Sequence, residues 1–508
     1  KMSDTSIISD KTTGLKKLCD TVLSEHRLII VSNRGPVQFR PNKNGDMEAK
    51  HSSSGVVTAL DLLTQISKPT WISSAMGEGD RNIARSDTAG TIESPLQQHN
   101  MRLRYIAHPR SMYHKYFNIL CNPTIWFLQH YMWNFPRNPN IDDTVHDAWH
   151  NGYAPVNEAF GNAIVEEINS DPTPAIVMIH DYHLYLAPNF IRSSREDVLI
   201  QYVNHIPWPE PRFWQLLPAY MRKAICYGLL SSNIVGFQTP YDVRNFLDTC
   251  EEFIPEASVD RSKSLIKLHD RQVSIRAYPL SINIDSIHQI ANSQATKEFE
   301  NRLIGQYKKQ NIVRVDRAEP IRNIIRGFKA YERLLICYPE LQSNVNFLAF
   351  IVPSRTHIRQ YKHYLSDIQD TVNAINNKFG TADWQPIKLF LENNYIQAIS
   401  GMKLYDVLLI NSLADGMSLV AKEGPVVNTK HGVLILSDTI GATHQLWEGA
   451  ITVSPADIEG TMEAMHYALT MDQKERERRS DTLVDTITRQ DMTHWTRQQL
   501  EDIRELYT

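Results

Sequence analysis

The sequence predicts an α/β protein made of two doubly wound parallel-sheet domains facing each other across a cleft, and three observations carry that expectation. The chain has 508 residues, too many for a single hydrophobic core. Short apolar runs alternate with amphipathic stretches of helical length, the pattern of strands covered on both faces. The pattern then restarts after Ala277-Tyr278-Pro279-Leu280-Ser281, which marks an interdomain connection.

In chain order, the strands predicted for the first half are Leu28–Val31, Ala175–Ile179, Leu199–Val203 and Ile234–Phe237. Those of the second half are Ile312–Val315, Phe347–Val352, Ile387–Leu391, Val407–Ile410 and Val433–Leu436. Each is short and mostly apolar, and stretches of helical length separate them. The domains expected are 1–280, 281–480 and a charged helical segment, 481–508, packing back on the first domain through Trp495. Two such domains would line up their strand C-terminal ends, and so their loops, along one cleft.

Composition narrows the function. Apolar residues make up 42%, charged residues 22%, and the formal net charge is -4, so neither nucleic-acid binding nor a polybasic membrane surface is indicated. No apolar run approaches the ~20 residues that span a bilayer, and the chain is polar through Lys17 with no secretory h-region. Five scattered cysteines without a Cys-x-x-Cys fit a reducing cytoplasm. No Gly-x-Gly-x-x-Gly follows a predicted strand, which argues against a nicotinamide-dependent oxidoreductase. The sequence leaves open whether the chain forms a homo-oligomer.

The chemistry sits in the loops. Val315-Asp316-Arg317-Ala318-Glu319-Pro320-Ile321-Arg322-Asn323 reads as a strand end, a loop bearing two cations and a helix start. Asp415-Gly416-Met417-Ser418-Leu419-Val420-Ala421-Lys422-Glu423 reads as a loop entering a helix, whose free N–H groups suit an anion. Two guanidinium groups with a helix N-terminus make a diphosphate site without a metal. Arg34, Asp181, His205 and Arg355 likewise follow predicted strands. His180 and His183 flank Asp181 and lack a third ligand, so a hydrogen-bonding role fits them better than a metal.

With Ser32-Asn33-Arg34-Gly35-Pro36, His180-Asp181-Tyr182-His183, His205-Ile206-Pro207-Trp208-Pro209 and Gly236-Phe237-Gln238-Thr239, these segments resemble the trehalose-6-phosphate synthase family of retaining glycosyltransferases, of GT-B fold, from about Leu28 to Trp495. The resemblance implies that Arg317 and Arg322 hold the diphosphate of a nucleotide-sugar, with the N–H groups of Leu419 and Val420 assisting. It implies a donor site completed by Gly55, His205, Asp415, Gly416, Met417, Ser418 and Glu423, the last accepting ribose hydroxyls. Asp181 would lie near the acceptor and the reacting carbon, and Arg34 and Arg355 would contact the acceptor phosphate. The expected catalytic set is Asp181, His205, Arg317 and Arg322, with no cofactor and no metal. No Asp-x-Asp occurs in the chain, which agrees with that last expectation.

Departures from the family concentrate on both substrates. Arg322 and Asn323 stand where Lys and Gly are usual, and Ala414 and Ser418 where Arg and Asn are common. The donor loop reads Ser52-Ser53-Ser54-Gly55-Val56 and keeps only its last glycine. On the acceptor side Trp126 matches a family tryptophan, Phe117 replaces a phosphate-binding tyrosine and Ser74 a second tryptophan. The expected activity is transfer of glucose from UDP- or GDP-glucose to a phosphorylated acceptor, with glucose 6-phosphate as the default. Two alternatives remain, namely another phosphorylated acceptor (glycerol 3-phosphate or a cyclitol phosphate) and a catalytically idle ligand-binding homologue.

Overall fold

A computed structural model describes residues 4–507, apart from Ser53, 87–89, 97–98 and 308. Two units divide the chain, one running to Leu280 and resuming at Thr493, the other spanning Ser281–Met492.

The strands of the first unit are β1 (Arg27–Val31), β2 (Val37–Pro41), β3 (Met47–His51), β4 (Thr70–Ser74), β5 (Thr91–Glu93), β6 (Arg102–Ile106), β7 (Ala175–His180), β8 (Leu199–Val203), β9 (Ile234–Phe237), β10 (Ala257–Asp260), β11 (Leu265–Leu268) and β12 (Arg271–Ala277). Among the described residues they form a sheet ordered β10-β11-β12-β9-β8-β7-β1-β4-β6-β5 and a separate β2–β3 hairpin. From β12 to β6 every pairing is parallel. The chain winds from β1 out to β4 and β6, returns to the far side of β1 as β7, then winds out to β8, β9 and β12. Winding reverses between β1 and β7, and crevices at such reversals are where open α/β sheets bind ligands.

The second unit repeats the device with β13 (Gln310–Arg317), β14 (Val345–Val352), β15 (Ile387–Leu391), β16 (Val407–Ile410), β17 (Val433–Ser437) and β18 (Ile451–Val453). Its all-parallel order, β15-β14-β13-β16-β17-β18, reverses between β13 and β16. The core below this sheet joins Ile312, Phe347, Ile351 and Val407 to Ile324, Phe328 and Leu334 of the helix Ile324–Cys337.

Every strand predicted from an apolar run is present, and β2 to β6, β10 to β12 and β18 are additional. The reason is plain in β4, where all five residues are buried although three carry hydroxyls. Thr70 Oγ1 donates to Glu167 at 3.1 Å and Ser74 Oγ to Asn33 at 3.0 Å, so polar atoms are buried once bonded. The C-terminal region also divides differently from the expected break at 481. Helix Gln473–Arg489 packs in the second unit, where Arg476 donates to the His431 carbonyl at 3.3 Å and reaches Asp406 at 3.5 Å. Helix Met492–Glu505 follows, and within the first unit the Trp495 indole N–H donates to the Tyr278 carbonyl at 3.1 Å. Among the described residues no helix is long and apolar enough to cross a membrane.

Candidate functional site

In the first unit the loops that follow β1 and β7 flank the winding reversal. Asp181, the residue after β7, takes φ +74° and ψ 173°, a region costly for any side chain and characteristic of functional sites. Its backbone is held by an N–H bond to the Val203 carbonyl at 2.9 Å and by the Tyr202 hydroxyl on its own carbonyl. Burial drives its carboxyl up to about 7, against bonds from the Tyr182 and His205 N–H groups that pull the other way.

His205 follows β8. Its Nε2 lies 3.0 Å from His180 Nδ1, in a hydrogen bond whose proton belongs to one ring. Burial lowers His205 to about 4 and His180 well below its usual value, so this is a pair of neutral imidazoles. Among the described residues, His180 Nε2, Asp181 Oδ1 and His205 Nδ1 are all buried without a hydrogen-bond partner. Buried polar atoms are rarely left so, and three on two adjacent strand ends mark a place built for a polar ligand.

Around the β1 loop, Arg34 is exposed and its guanidinium makes no hydrogen bond among the described residues, while its neighbour Asn33 is buried at the hub of a network. Asn33 donates to the Tyr113 hydroxyl at 3.1 Å and accepts from Ser74 and from Tyr116, each at 3.0 Å. Ser74 is 1% exposed and also lies 3.2 Å from His108 Nε2, so it supports Asn33 instead of lining an open wall. Phe117 is half-buried, its ring stacked between Tyr113 at 5.6 Å and His183 at 5.9 Å. Tyr116 is fully buried on Asn33 and so does not take over the lost phenol. Trp126 is 6% exposed against His130, at 3.9 Å, which leaves little of the indole to face a ligand. Gly55 opens the helix Gly55–Ile66 behind the Ser54 cap and has nothing within 4 Å of where a Cβ would stand. Within the serine loop, Ser53 lies outside the described residues.

In the second unit, the loops after β13 and β16 are sewn together at the reversal. Leu413 N–H donates to the Ile321 carbonyl at 2.9 Å, and Asn323 and Asn411 exchange side-chain to main-chain bonds at 2.8 and 3.2 Å. Asn323 sits at φ +59°, ψ +36°, a left-handed conformation that Asn tolerates best after Gly, which accounts for Asn where the family has Gly. Its side chain also donates to the Pro455 carbonyl at 2.7 Å, a bond glycine cannot make.

Three guanidinium groups surround one buried carboxylate. Glu319 is 2% exposed, and Arg322, Arg355 and Arg317 overcome the burial cost to hold it below its ordinary range. Ser354 Oγ donates to it at 2.8 Å, and Arg322 Nε stands 4.0 Å away. Arg317 is exposed and makes no side-chain hydrogen bond or ion pair among the described residues. Arg322 is ion-paired with Asp415 by a short bond, and its charge is secured against burial by Asp415, Glu319 and Asp316. Arg355, expected on the acceptor phosphate, lies in this cluster with its guanidinium on the Tyr361 hydroxyl at 3.3 Å.

On the β16 loop Gly416 and Met417 are buried and shape the turn, and Ser418 takes φ +75°. Helix Val420–Val427 follows, and the N–H groups of Leu419 and Val420 have no backbone acceptor among the described residues. Glu423, on its first turn, is driven up to about 7 by burial, with Tyr395 bonded to it and opposing the shift.

Sequence reasoning missed Arg314. It is 0% exposed inside β13, donating to Asp316 at 2.9 Å, to the Arg322 carbonyl at 3.1 Å and to Asn411 at 3.1 Å. A guanidinium in an otherwise apolar parallel strand was the available signal, because such a charge persists only when fully paired. Asp316 pairs with Arg314 and also adds its charge beside Arg322, while Glu319 sits among the three arginines.

Known proteins bear on this arrangement. The family model described as Glycosyltransferase family 20 matches residues 26–505. The alpha,alpha-trehalose-phosphate synthase [UDP-forming] of Candida albicans is 30% identical over 458 residues, covering 89% of this chain and 91% of that protein. Synthase A of Dictyostelium discoideum, also UDP-forming, is 29% identical over 477 residues, and the match covers 92% of this chain but 61% of that longer protein. A crystal structure of the UDP-forming synthase of Burkholderia xenovorans in complex with glucose-6-phosphate superposes with a TM-score of 0.80 at 24% identity, covering 94% of this chain and 100% of that one. The fold is GT-B.

Proposed function

Because the chain belongs to glycosyltransferase family 20, we propose that it moves glucose from UDP-glucose to glucose 6-phosphate with retention, releasing UDP and α,α-trehalose 6-phosphate. The observation that carries the reading is the pairing of two winding reversals with two kinds of chemistry. One holds guanidinium groups and free N–H groups. The other holds a near-neutral carboxyl beside a neutral imidazole.

Transfer breaks the bond from C1 of the donor sugar to the β-phosphate oxygen, and the electron pair leaves with UDP. Negative charge therefore grows on the diphosphate in the transition state. Arg317, Arg322 and the Leu419 and Val420 N–H groups oppose that charge more strongly in the transition state than in the ground state. No metal is needed for this step. Glu423, poised near neutrality, accepts and donates to the ribose hydroxyls. Asp415 takes donor-sugar hydroxyls once Arg322 turns from it to the diphosphate.

The acceptor hydroxyl attacks on the face the diphosphate leaves, and its proton passes to the departing phosphate oxygen. Asp181 is then a hydrogen-bond partner at the reacting carbon. A carboxyl that burial keeps near neutrality is a poor anionic nucleophile, which disfavours a covalent intermediate. His205 spends Nε2 on His180 and keeps Nδ1 for the sugar. Arg34 and Arg355 supply charge for the acceptor phosphate.

A second reading keeps donor and mechanism but changes the acceptor to glycerol 3-phosphate or a cyclitol phosphate. Phe117, which lacks a hydroxyl, and Ser74, turned into the Asn33 network, favour it. UDP release measured with UDP-glucose and a panel of phosphorylated acceptors separates the two. Fastest turnover with glucose 6-phosphate supports the first reading; release only with another acceptor overturns it.

A further inference from the structure

We propose that His51, Asp61 and His99 bind a divalent transition-metal ion, zinc by the character of the donors, at a site separate from the transfer chemistry. One ligand atom from each lies within 4.8 Å of the others. Tetrahedral zinc with bonds of about 2.0–2.1 Å sets its ligands roughly 3.3 Å apart, so the three need only a modest approach. His51 is exposed and ends β3, which leaves it free to make that approach.

The hydrogen-bonding groups around His99 accommodate the tautomer that a metal requires. Thr64 Oγ1 gives its one proton to the Asp61 carbonyl at 2.8 Å, so toward His99 Nδ1, 3.3 Å away, it can only accept. The proton of a neutral His99 is then on Nδ1 and its lone pair on Nε2. That Nε2 lies 3.4 Å from Asp61 Oδ1. In that tautomer a lone pair faces the Asp61 carboxylate, and a cation between the two atoms would be held by both. Metal sites commonly bind the far N–H of a ligating histidine to an oxygen acceptor, and Thr64 Oγ1 is placed to be one. The His51 ring lies beside that of His99, with centroids 5.3 Å apart and planes 22° from parallel. Two imidazoles, one carboxylate and an open position for water suit zinc and its neighbours better than magnesium or calcium.

The placement gives the ion a purpose. His51 precedes the Ser52–Val56 loop and Asp61 lies in the helix that leaves it, so one ion ties both ends of that loop to His99. The loop has lost glycines, and a tether would set its course by ligation.

Metal-stripped full-length protein titrated with Co2+, read by visible ligand-field absorption and by Zn2+ competition, tests the site. The expected result is a tetrahedral spectrum saturating at one equivalent. His51→Ala and Asp61→Asn should each weaken binding at least about tenfold, and Thr64→Val by roughly 10–100-fold. His51→Ala should leave the metal-free unfolding midpoint unchanged, because the residue is exposed. No spectrum, or a spectrum equally strong in all three folded variants, overturns the proposal.

Discussion

Replacing Arg317 by alanine should separate catalysis from folding, and Arg322 supplies the contrast. Arg317 is exposed and, among the described residues, makes no side-chain hydrogen bond or ion pair, contributing only its charge near Glu319, so its removal should change folding free energy by no more than about 0.5 kcal/mol. Its loss strips one charge-assisted contact from the departing diphosphate, at least about 2 kcal/mol of transition-state stabilisation, or roughly thirtyfold in kcat/KM. Arg322→Ala instead abandons Asp415, 14% exposed at its side chain, and Glu319, 2% exposed. Breaking a buried pair from one side typically costs about 3–5 kcal/mol, and the 24% exposure of the Arg322 side chain puts this one at the lower end. The assays are UDP release under initial-rate conditions and urea unfolding of each variant. An Arg317→Ala protein with kcat/KM within twofold of the parent, or one that unfolds several kcal/mol earlier, would refute the reasoning.

Other perturbations bear on the same loops. The carboxyl of Asp181 titrates at about 7 in the fold against an ordinary 3.8, so between those values the folded chain keeps a proton that the unfolded chain has released. Stability must then fall as pH rises across that window, by up to about 1.4 kcal/mol per pH unit, and Asp181→Asn should remove this component from urea titrations run at pH 4 to 7. A parent and variant with parallel pH profiles would contradict the burial of that carboxyl. Asn323→Gly should cost about 1–2 kcal/mol for its two carbonyl bonds, and Asn323→Ala about 1 kcal/mol more for the left-handed backbone, which paired denaturation curves would resolve. Arg314→Met should destabilise by about 3–5 kcal/mol, because Asp316 and the Asn411 amide lose a fully buried partner. An unfolding midpoint close to the parent's would show that the Arg314 network is dispensable.

The strands legible in the sequence are the apolar ones, and they suffice to place Arg34, Asp181, His205, Arg317 and Asp415 at strand ends. What periodicity could not register is polarity neutralised by tertiary partners. Thr70–Ser74 is a central strand because Glu167 and Asn33 satisfy its hydroxyls, and Arg314 is a core residue because Asp316, Asn411 and the Arg322 carbonyl satisfy its guanidinium. Backbone conformation was equally hidden. The left-handed turns at Asp181, Asn323 and Ser418 follow from how the loops close, although Asn in a position usually held by Gly hinted at one of them. The pairing of Arg322 with Asp415, and the stacking of His51 beside His99, join residues too far apart in sequence for any local pattern to connect.

The anomeric configuration of the product probes the whole scheme at once. Proton NMR of a reaction containing UDP-glucose and glucose 6-phosphate should show UDP appearing together with a 1,1-linked disaccharide phosphate whose two anomeric protons both carry the small couplings of α linkages. A β-configured donor residue, or glucose 6-phosphate left unchanged while the protein remains folded, would contradict front-face departure from a guanidinium-held diphosphate.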